Sequence, residues 1–474
     1  MEKITILGAG IAGLSCAYEL ARQKIPCEII EGLPEVGGLS RNFHYKDFTF
    51  DIGPHRVYSE YPDTLAFIQE LCGQLPEHVQ RKSRMRLKGR YYDYPFNAKE
   101  LIRNLPPGLA LKFIASYGWT LLSSGSKELD ESSYEGYLRK RFGKAIGEFF
   151  FIPYAQKVWG ISPTEISSDI VKVRLSQKNL FSTVKDLLFP PKDAKNKSYV
   201  SDFIYPKKGI GVIPNELARK VMELGVPIHL NTRITDLVLD KTLYGTFVQA
   251  ISCETPEGNR TIPVSSIVST LPLAKLIPWT QPADPELVEI SRHLKHRNVI
   301  LGCIMLRKPQ VTGDHWLYYP EEEFHFTRIH QPKNFSPELC PPNKSSLVVE
   351  MTCFQDDTRW RSTDLELYEI ISNDLLATGL VQITDIENYA IYRIPHAYPI
   401  YEKDYKSRLA KLFGYLGTVH NLISTGRQGL YHHNNIDHSI RMGQDAARHC
   451  LQHPQSSLPW YESIAAYDRF RIID

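Results

Sequence analysis

Apolar positions group along the chain in two rhythms. Residues 3–7 are a short apolar strand, a glycine-rich turn follows, and residues 14–23 predict a helix. A second apolar strand over 27–30 ends at Glu31. From 97 to 188 apolar residues recur at three- and four-residue spacing, which predicts helices. Residues 193–198 are polar and predict a loop. Tyr205-Pro206-Lys207-Lys208-Gly209-Ile210-Gly211 then introduces a helix over 214–224. A strand pair is predicted around 228–230 and 246–253, and another strand over 265–270. Residues 297–400 are β-rich, with strands at 298–305, 316–319, 326–330 and 347–352. A strand at 422–424 and a turn at 426–429 precede the last long helix, capped by Ile436-Asp437-His438-Ser439 and running to about residue 450. No internal repeat or low-complexity segment interrupts this order.

The first turn carries chemistry. Gly8-Ala9-Gly10-Ile11-Ala12-Gly13 is a G-x-G-x-x-G sequence between strand and helix, with the acid Glu31 roughly 20 residues on. Gly8 permits the tight turn, Gly10 lets the backbone approach a pyrophosphate, and Gly13 lets helix pack on strand. The helix N-terminus offers unpaired N–H groups to phosphates, and Glu31 can accept hydrogen bonds from a ribose. Such a motif alone also describes a plain NAD-binding unit. Here it is followed by Gly37-Gly38-Leu39-Ser40-Arg41 and by Phe50-Asp51-Ile52-Gly53-Pro54-His55. That order resembles the FAD-dependent amine-oxidase superfamily, which includes protoporphyrinogen oxidases, phytoene desaturases and UDP-galactopyranose mutases.

Composition narrows the picture further. The chain has 474 residues, which predicts two or three interleaved domains. Its 42% apolar and 23% charged content is that of a globular protein. A net charge of +3 gives no general argument for nucleic acid or an anionic membrane. The eight cysteines are scattered without a C-x-x-C pair, so buried free thiols in a reducing compartment are expected. The chain enters its first strand at once, and its most apolar stretch, residues 108–122, is interrupted by Lys112 and too short to span a bilayer. A cytoplasmic protein is the expectation. His432, His433 and His438 cluster in sequence but lack a carboxylate or cysteine at ligand spacing, so no metal is expected.

The resemblance implies an α/β protein with a GR2-type FAD-binding Rossmann-like fold, an inserted helical subdomain and a mixed substrate-domain β-sheet. It divides the chain into a discontinuous FAD-binding domain (1–75, 205–285 and 408–474), a helical subdomain (76–204) and a substrate-facing sheet (286–407). Cofactor contacts implied by the family pattern are Gly8, Gly10, Gly13, Glu31, Gly38, Leu39, Ser40, Arg41, Gly53 and His55. They continue with Ile234, whose backbone matches the adenine position, with Gly426 and Arg427 of the Gly-Arg-x-Gly turn, and with Asp437 and Ser439. Asp437 is expected to cap a helix whose positive end stabilises reduced flavin.

One subfamily matches in further islands. Tyr94-Pro95-Phe96-Asn97, Pro153-Tyr154-Ala155-Gln156-Lys157-Val158-Trp159 and Trp316-Leu317-Tyr318-Tyr319-Pro320-Glu321 resemble segments of UDP-galactopyranose mutases, especially the eukaryotic type. A sugar nucleotide carries a diphosphate, which suits bidentate guanidinium groups. Arg174 and Arg328 fall where those mutases place their diphosphate clamp. Taken singly, either would be read as a surface or structural ion pair. Tyr318 matches a phosphate-contacting tyrosine, Phe96 and Trp159 match apolar walls, and Asn97 belongs to the same segment. His433 stands where the mutases carry a diphosphate-contacting tyrosine, a departure from their pattern. His55, in the loop that reaches the flavin edge, is the candidate donor that tunes it.

The implied activity is that of a flavoenzyme acting on a nucleotide-activated sugar, mutase-like and redox-neutral, with flavin N5 attacking the anomeric carbon. It requires reduced FAD, with NAD(P)H as the external reductant. The alternative is an FAD-dependent oxidoreductase of the amine-oxidase, desaturase or protoporphyrinogen-oxidase type that removes hydride from a C–N or C–C bond. Either way the partner is a small molecule rather than nucleic acid; the oligomeric state is open.

Overall fold

The computed structural model describes residues 2–73, 77–94, 106–122, 130–174 and 202–472. Ile4–Leu7 and Cys27–Ile30 are buried along their whole length, as strands covered on both faces must be. They form the middle of a five-stranded parallel sheet. Its order is Leu422–Ser424, Ser266–Ser269, Ile4–Leu7, Cys27–Ile30 and Ile228–His229. Segments more than 400 residues apart thus share one sheet.

Helix Ile11–Arg22 follows the first strand, and helices Val212–Glu223 and Ile436–Gln452 pack against it. The closest crossing is at Gly443, where a Cβ would lie 2.2 Å from the carbonyl oxygen of Ala12. No side chain fits there.

A second, four-stranded sheet holds the antiparallel strands Gly258–Pro263, Gly245–Thr255 and Arg233–Thr242, with the short Thr280–Gln281 at its edge. The strand pair expected at 228–230 and 246–253 is corrected by this pattern. Ile228–His229 extends the parallel sheet, and the hairpin partner of Gly245–Thr255 is Arg233–Thr242.

The third sheet has seven strands. They run Ile386–Pro399, His296–Leu306, Ser345–Cys353, Arg328–His330, Trp316–Tyr318, Ser83–Leu87 and Arg90–Asp93. One face packs Ile300, Ile304, Leu347, Val349 and Met351 against Leu367, Ile371 and Leu375 of helix Asp364–Thr378. The other packs Leu301, Cys303 and Val348 against Phe48 and Phe50 of the hairpin Asn42–Tyr45/Phe48–Asp51.

Residues 83–93, assigned from sequence to the helical subdomain, belong to this sheet. Ser83, Met85 and Leu87 are buried while Arg84 and Arg86 between them are not, a period of two that only a strand satisfies. Glu77–Gln80 pairs antiparallel with Asp202–Tyr205, and the other described elements of the insertion are helical, among them Pro107–Leu122, Tyr134–Phe142, a wider π-turn Gly147–Phe151, Ile152–Trp159 and Asp169–Arg174. Among the described residues, no helix is long and apolar enough to cross a membrane.

Candidate functional site

A cavity of about 740 Å³ runs from the glycine turn of the parallel sheet to the seven-stranded sheet and the helical insertion. At its first end, Gly8 has φ +104°, and a Cβ there would meet Thr270 Oγ1 at 2.3 Å. Gly13 is equally enclosed: its Cβ would lie 2.0 Å from the Gly8 carbonyl oxygen. Gly10 differs, since no protein atom lies within 4 Å of where its Cβ would stand, and it lines the cavity. Its bareness therefore serves something other than packing. Gly10 is also the N-cap of helix Ile11–Arg22, with no side chain capping the first amides. An open cradle beside bare backbone at a helix N-terminus fits the pyrophosphate of a dinucleotide.

Glu31 lines the same end and is held by the amides of Ala9 (2.7 Å) and Leu33 (2.9 Å). Gly38, Leu39, Ser40 and Arg41 lie alongside. Arg41 donates to the Gly38 carbonyl at 2.6 Å and pairs with Glu35 at 2.9 Å.

Gly53 and His55 line the middle of the cavity. Gly53 has φ +83°, and a Cβ there would stand 3.4 Å from Glu350 Oε1. His55 Nε2 is buried without a protein partner. Burial, with a contribution from the nearby Arg427 charge, pushes its pKa down to about 4, so the ring is neutral at pH 7. Arg427 donates to the carbonyls of Asn434 (2.8 Å) and Ala397 (3.0 Å) and lies 5.4 Å above the Tyr398 ring. It thereby ties the Gly426 turn to the edge of the large sheet. Ser439 also lines the cavity.

At the far end, three neighbouring strands set a row of side chains. Tyr318 is the register partner of Arg328, and Arg328 is the register partner of Glu350. All three line the cavity. Arg328 Nε donates to Glu350 Oε1 at 3.1 Å and Nη2 to Oε2 at 2.7 Å. Burial would raise the Glu350 carboxyl, but the charges and hydrogen bonds of Arg328 and His330 together outweigh it and hold the acid down at about 2. Aromatic rings complete the walls. Tyr318 meets Tyr94 at 4.9 Å and Tyr154 at 5.9 Å, and Trp159, only 4% exposed, lines the cavity edge-on to Tyr398 at 6.3 Å.

Several sequence-derived site residues fall elsewhere. His433 is fully buried outside the cavity lining, with Nε2 at 2.7 Å from the Pro399 carbonyl and its ring edge-on to Trp159 at 5.4 Å. It packs against Trp159, which itself lines the cavity. The cap of helix Ile436–Gln452 is Asn435, which shares a capping box with His438. Asp437 stands in the first turn, buried and outside the lining, with burial raising its pKa and Ser59 as a hydrogen-bond partner. Ile234 is buried in its strand and does not line the cavity. Arg174 ends helix Asp169–Arg174, but its side chain, like Phe96 and Asn97, lies outside the described residues.

Sequence reasoning missed Glu350, Tyr398, Arg56 and Phe150 in the lining. Only Glu350 left a signal, as the lone acid in the apolar run Leu347-Val348-Val349-Glu350-Met351. Among the described residues no group of three or more histidines, cysteines and acids could hold a metal ion.

Residues 11–391 match the family model for flavin containing amine oxidoreductases, well over half the chain. The dTDP-fucopyranose mutase of Escherichia coli is 27% identical over 179 residues, 36% of this chain and 45% of that one. A probable UDP-galactopyranose mutase of Klebsiella pneumoniae is 25% identical over 180 residues, 36% and 44% respectively. The coproporphyrinogen III oxidase of Staphylococcus aureus is 23% identical over 270 residues, 51% and 56%. The chain thus spans about half the length of these relatives. Among solved structures, a reduced UDP-galactopyranose mutase superposes with a TM-score of 0.82 at 23% identity, covering 97% of this chain and 96% of that one. A putative protoporphyrinogen oxidase from Exiguobacterium gives 0.70 at 16%, covering 94% and 98%. These superpositions are likenesses of fold. With the glycine cradle fitting its pyrophosphate, FAD is the cofactor. The chain is an enzyme and belongs to the flavin containing amine oxidoreductase family.

Proposed function

We propose that the protein is a mutase-like flavoenzyme acting on a nucleotide-activated sugar. The carrying observation is the row Tyr318–Arg328 on two register-paired strands of the large sheet, facing the cavity beside Gly53. A phenol hydroxyl and a guanidinium held side by side on rigid strands suit the oxygens of a diphosphate. Bound FAD, reduced beforehand by a reductant such as NAD(P)H, would supply the nucleophile for the anomeric carbon, from which the nucleoside diphosphate departs and to which it returns once the sugar ring has opened and reclosed.

The chain's own residues do the rest. Arg328 and Tyr318 bind the diphosphate, with Arg174 as the second guanidinium. Tyr94, Tyr154 and Trp159 wall the sugar end and exclude water. Neutral His55 presents Nε2 to a ligand atom at the middle of the cavity. In this reading segments 1–75, 205–285 and 408–474 hold the cofactor, and the large sheet and helical insertion hold the substrate. The mutase relatives and the 0.82 superposition support it.

One observation favours the oxidoreductase alternative: Glu350 already takes two of the Arg328 donors, leaving a cavity end that is chiefly aromatic. Redox balance separates the two. Dithionite-reduced protein under argon should convert a UDP-sugar through many turnovers, because a mutase recovers its electrons each cycle. Reduced protein inert on UDP-, GDP- and TDP-sugars, with aerobic protein that consumes oxygen on an amine or a polycyclic substrate, overturns the mutase reading.

A further inference from the structure

Glu350 is the unexplained charge in this site. It is 2% exposed, in a strand whose every other residue is also buried. A carboxylate there is expensive to bury, and structures retain one only with a partner it serves. Its partner is Arg328, directly opposite in register. The contact is side-on: Nε and one hydrogen of Nη2 are taken, at 3.1 and 2.7 Å. Nη1 and the second Nη2 hydrogen are left over. His330 Nδ1 stands 3.5 Å behind, on the Glu350 Oε1 side, and Gly53 leaves room in front, its Cβ position 3.8 Å from Arg328 Nη2.

We infer that Glu350 is a positioning residue that locks the Nε edge of Arg328 and turns its remaining donors toward the ligand. The inference deepens the nucleotide-sugar reading and rests on it for the identity of the ligand. The long arginine side chain would otherwise sample several rotamers in a wide cavity. Pinned on one edge, it meets an anion with its donors already aimed, and less conformational freedom is lost on binding. Glu350 also neutralises the guanidinium while the site is empty. Recognition then depends on donor geometry rather than on a bare positive charge that any anion would satisfy.

Two readouts test this on the flavin-loaded protein. In the first, uridine diphosphate binding is titrated for wild type, Glu350→Gln, Arg328→Met and the double variant. Glu350→Gln should bind at least tenfold more weakly. The double variant should bind no more weakly than Arg328→Met alone, since Glu350 acts through Arg328. Glu350→Asp, with charge kept on a shorter arm, should fall between and guards against a Gln variant that fails to fold. Binding by Glu350→Gln within twofold of wild type, or losses that multiply in the double variant, overturns the inference.

In the second, protein labelled with 15N-arginine reports solvent exchange of the Arg328 Nε–H, identified by its loss in Arg328→Met. Exchange should be slow in wild type and at least tenfold faster in Glu350→Gln. Unchanged exchange overturns the inference whatever binds. Faster exchange in a protein that binds no uridine diphosphate supports the positioning role and overturns the nucleotide-sugar reading instead.

Discussion

The Tyr205 hydroxyl donates to Asp51 Oδ2 at 2.5 Å, joining the ends of two strands 154 residues apart in sequence. Asp51 opens the Gly53-Pro54-His55 turn. It also accepts from Asn42 Nδ2 at 2.5 Å and from the Ile210 amide at 3.1 Å. Asn42 in turn accepts from the Gly211 amide at 2.6 Å. One buried carboxylate thus fastens the flavin-facing turn to the loop leading into helix Val212–Glu223.

Tyr205→Phe removes one of the two shortest of these ties without changing shape. A buried acceptor loses one of three donors, so stability should fall by about 1–3 kcal/mol. The Gly53–His55 turn should loosen with it, and FAD should dissociate more readily. Urea unfolding and titration of apoprotein with FAD check both effects. Unchanged FAD affinity would show that the tie supports the core alone.

The two inner glycines of the first turn should respond in opposite ways. Gly13→Ala puts a methyl 2.0 Å from the Gly8 carbonyl oxygen and should yield misfolded protein. Gly10→Val faces open space, so the chain should fold but purify without flavin absorbance. Far-UV circular dichroism and the visible spectrum distinguish the cases. A yellow Gly10→Val protein would sink the assignment of the cradle.

Acid should destabilise the protein through its histidines. Burial foremost pushes His55, His396, His432 and His438 down to about 4 and His296 to about 3. Between pH 6.5 and 4 these rings take protons in the unfolded chain but not in the folded one, so stability rises with pH across that window. Asp51 opposes them. Burial raises it from 3.8 to about 6, so from pH 4 to 6 it holds a proton only when folded, and its contribution falls as pH rises. Each group is worth on the order of 1–3 kcal/mol, and the histidines outnumber the acid. The urea midpoint should therefore drop from pH 6.5 to 4, and more steeply in Asp51→Asn. A flat or rising profile on acidification would contradict this account.

What was legible in the chain was local. Gly8, Gly10, Gly13 and Glu31 lie within one strand–turn–helix–strand unit, so spacing alone places them together. Tyr318 and Arg328 are separated by one short connection, and family order carried them to the same edge. Glu350 was hidden because its meaning lies in the register of a third strand. His433 misled because sequence order does not show that Trp159 lies across it. The hairpin at 83–93 lies outside the helix-spaced block at 97–188 and was placed with the helices only by the 76–204 boundary that the family resemblance implied, although its own alternation was there to be read. The shift of the cap from Asp437 to Asn435 is a matter of two positions, and helix starts are decided by backbone geometry that neighbouring polar residues can all imitate.

The contact between Gly443 and Ala12 has a bearing on how the protein is made. The phosphate cradle at residues 8–13 emerges from the ribosome ahead of the elements that enclose it. Helix Ile436–Gln452, which packs against helix Ile11–Arg22 and carries the cavity-lining Ser439 in its first turn, is synthesised hundreds of residues later. The parallel sheet likewise waits for Leu422–Ser424. The cavity around the cradle is therefore closed only after helix Ile436–Gln452 has been made, and a product truncated before Leu422 would lack the edge strand, the packing helix and Ser439 of the lining.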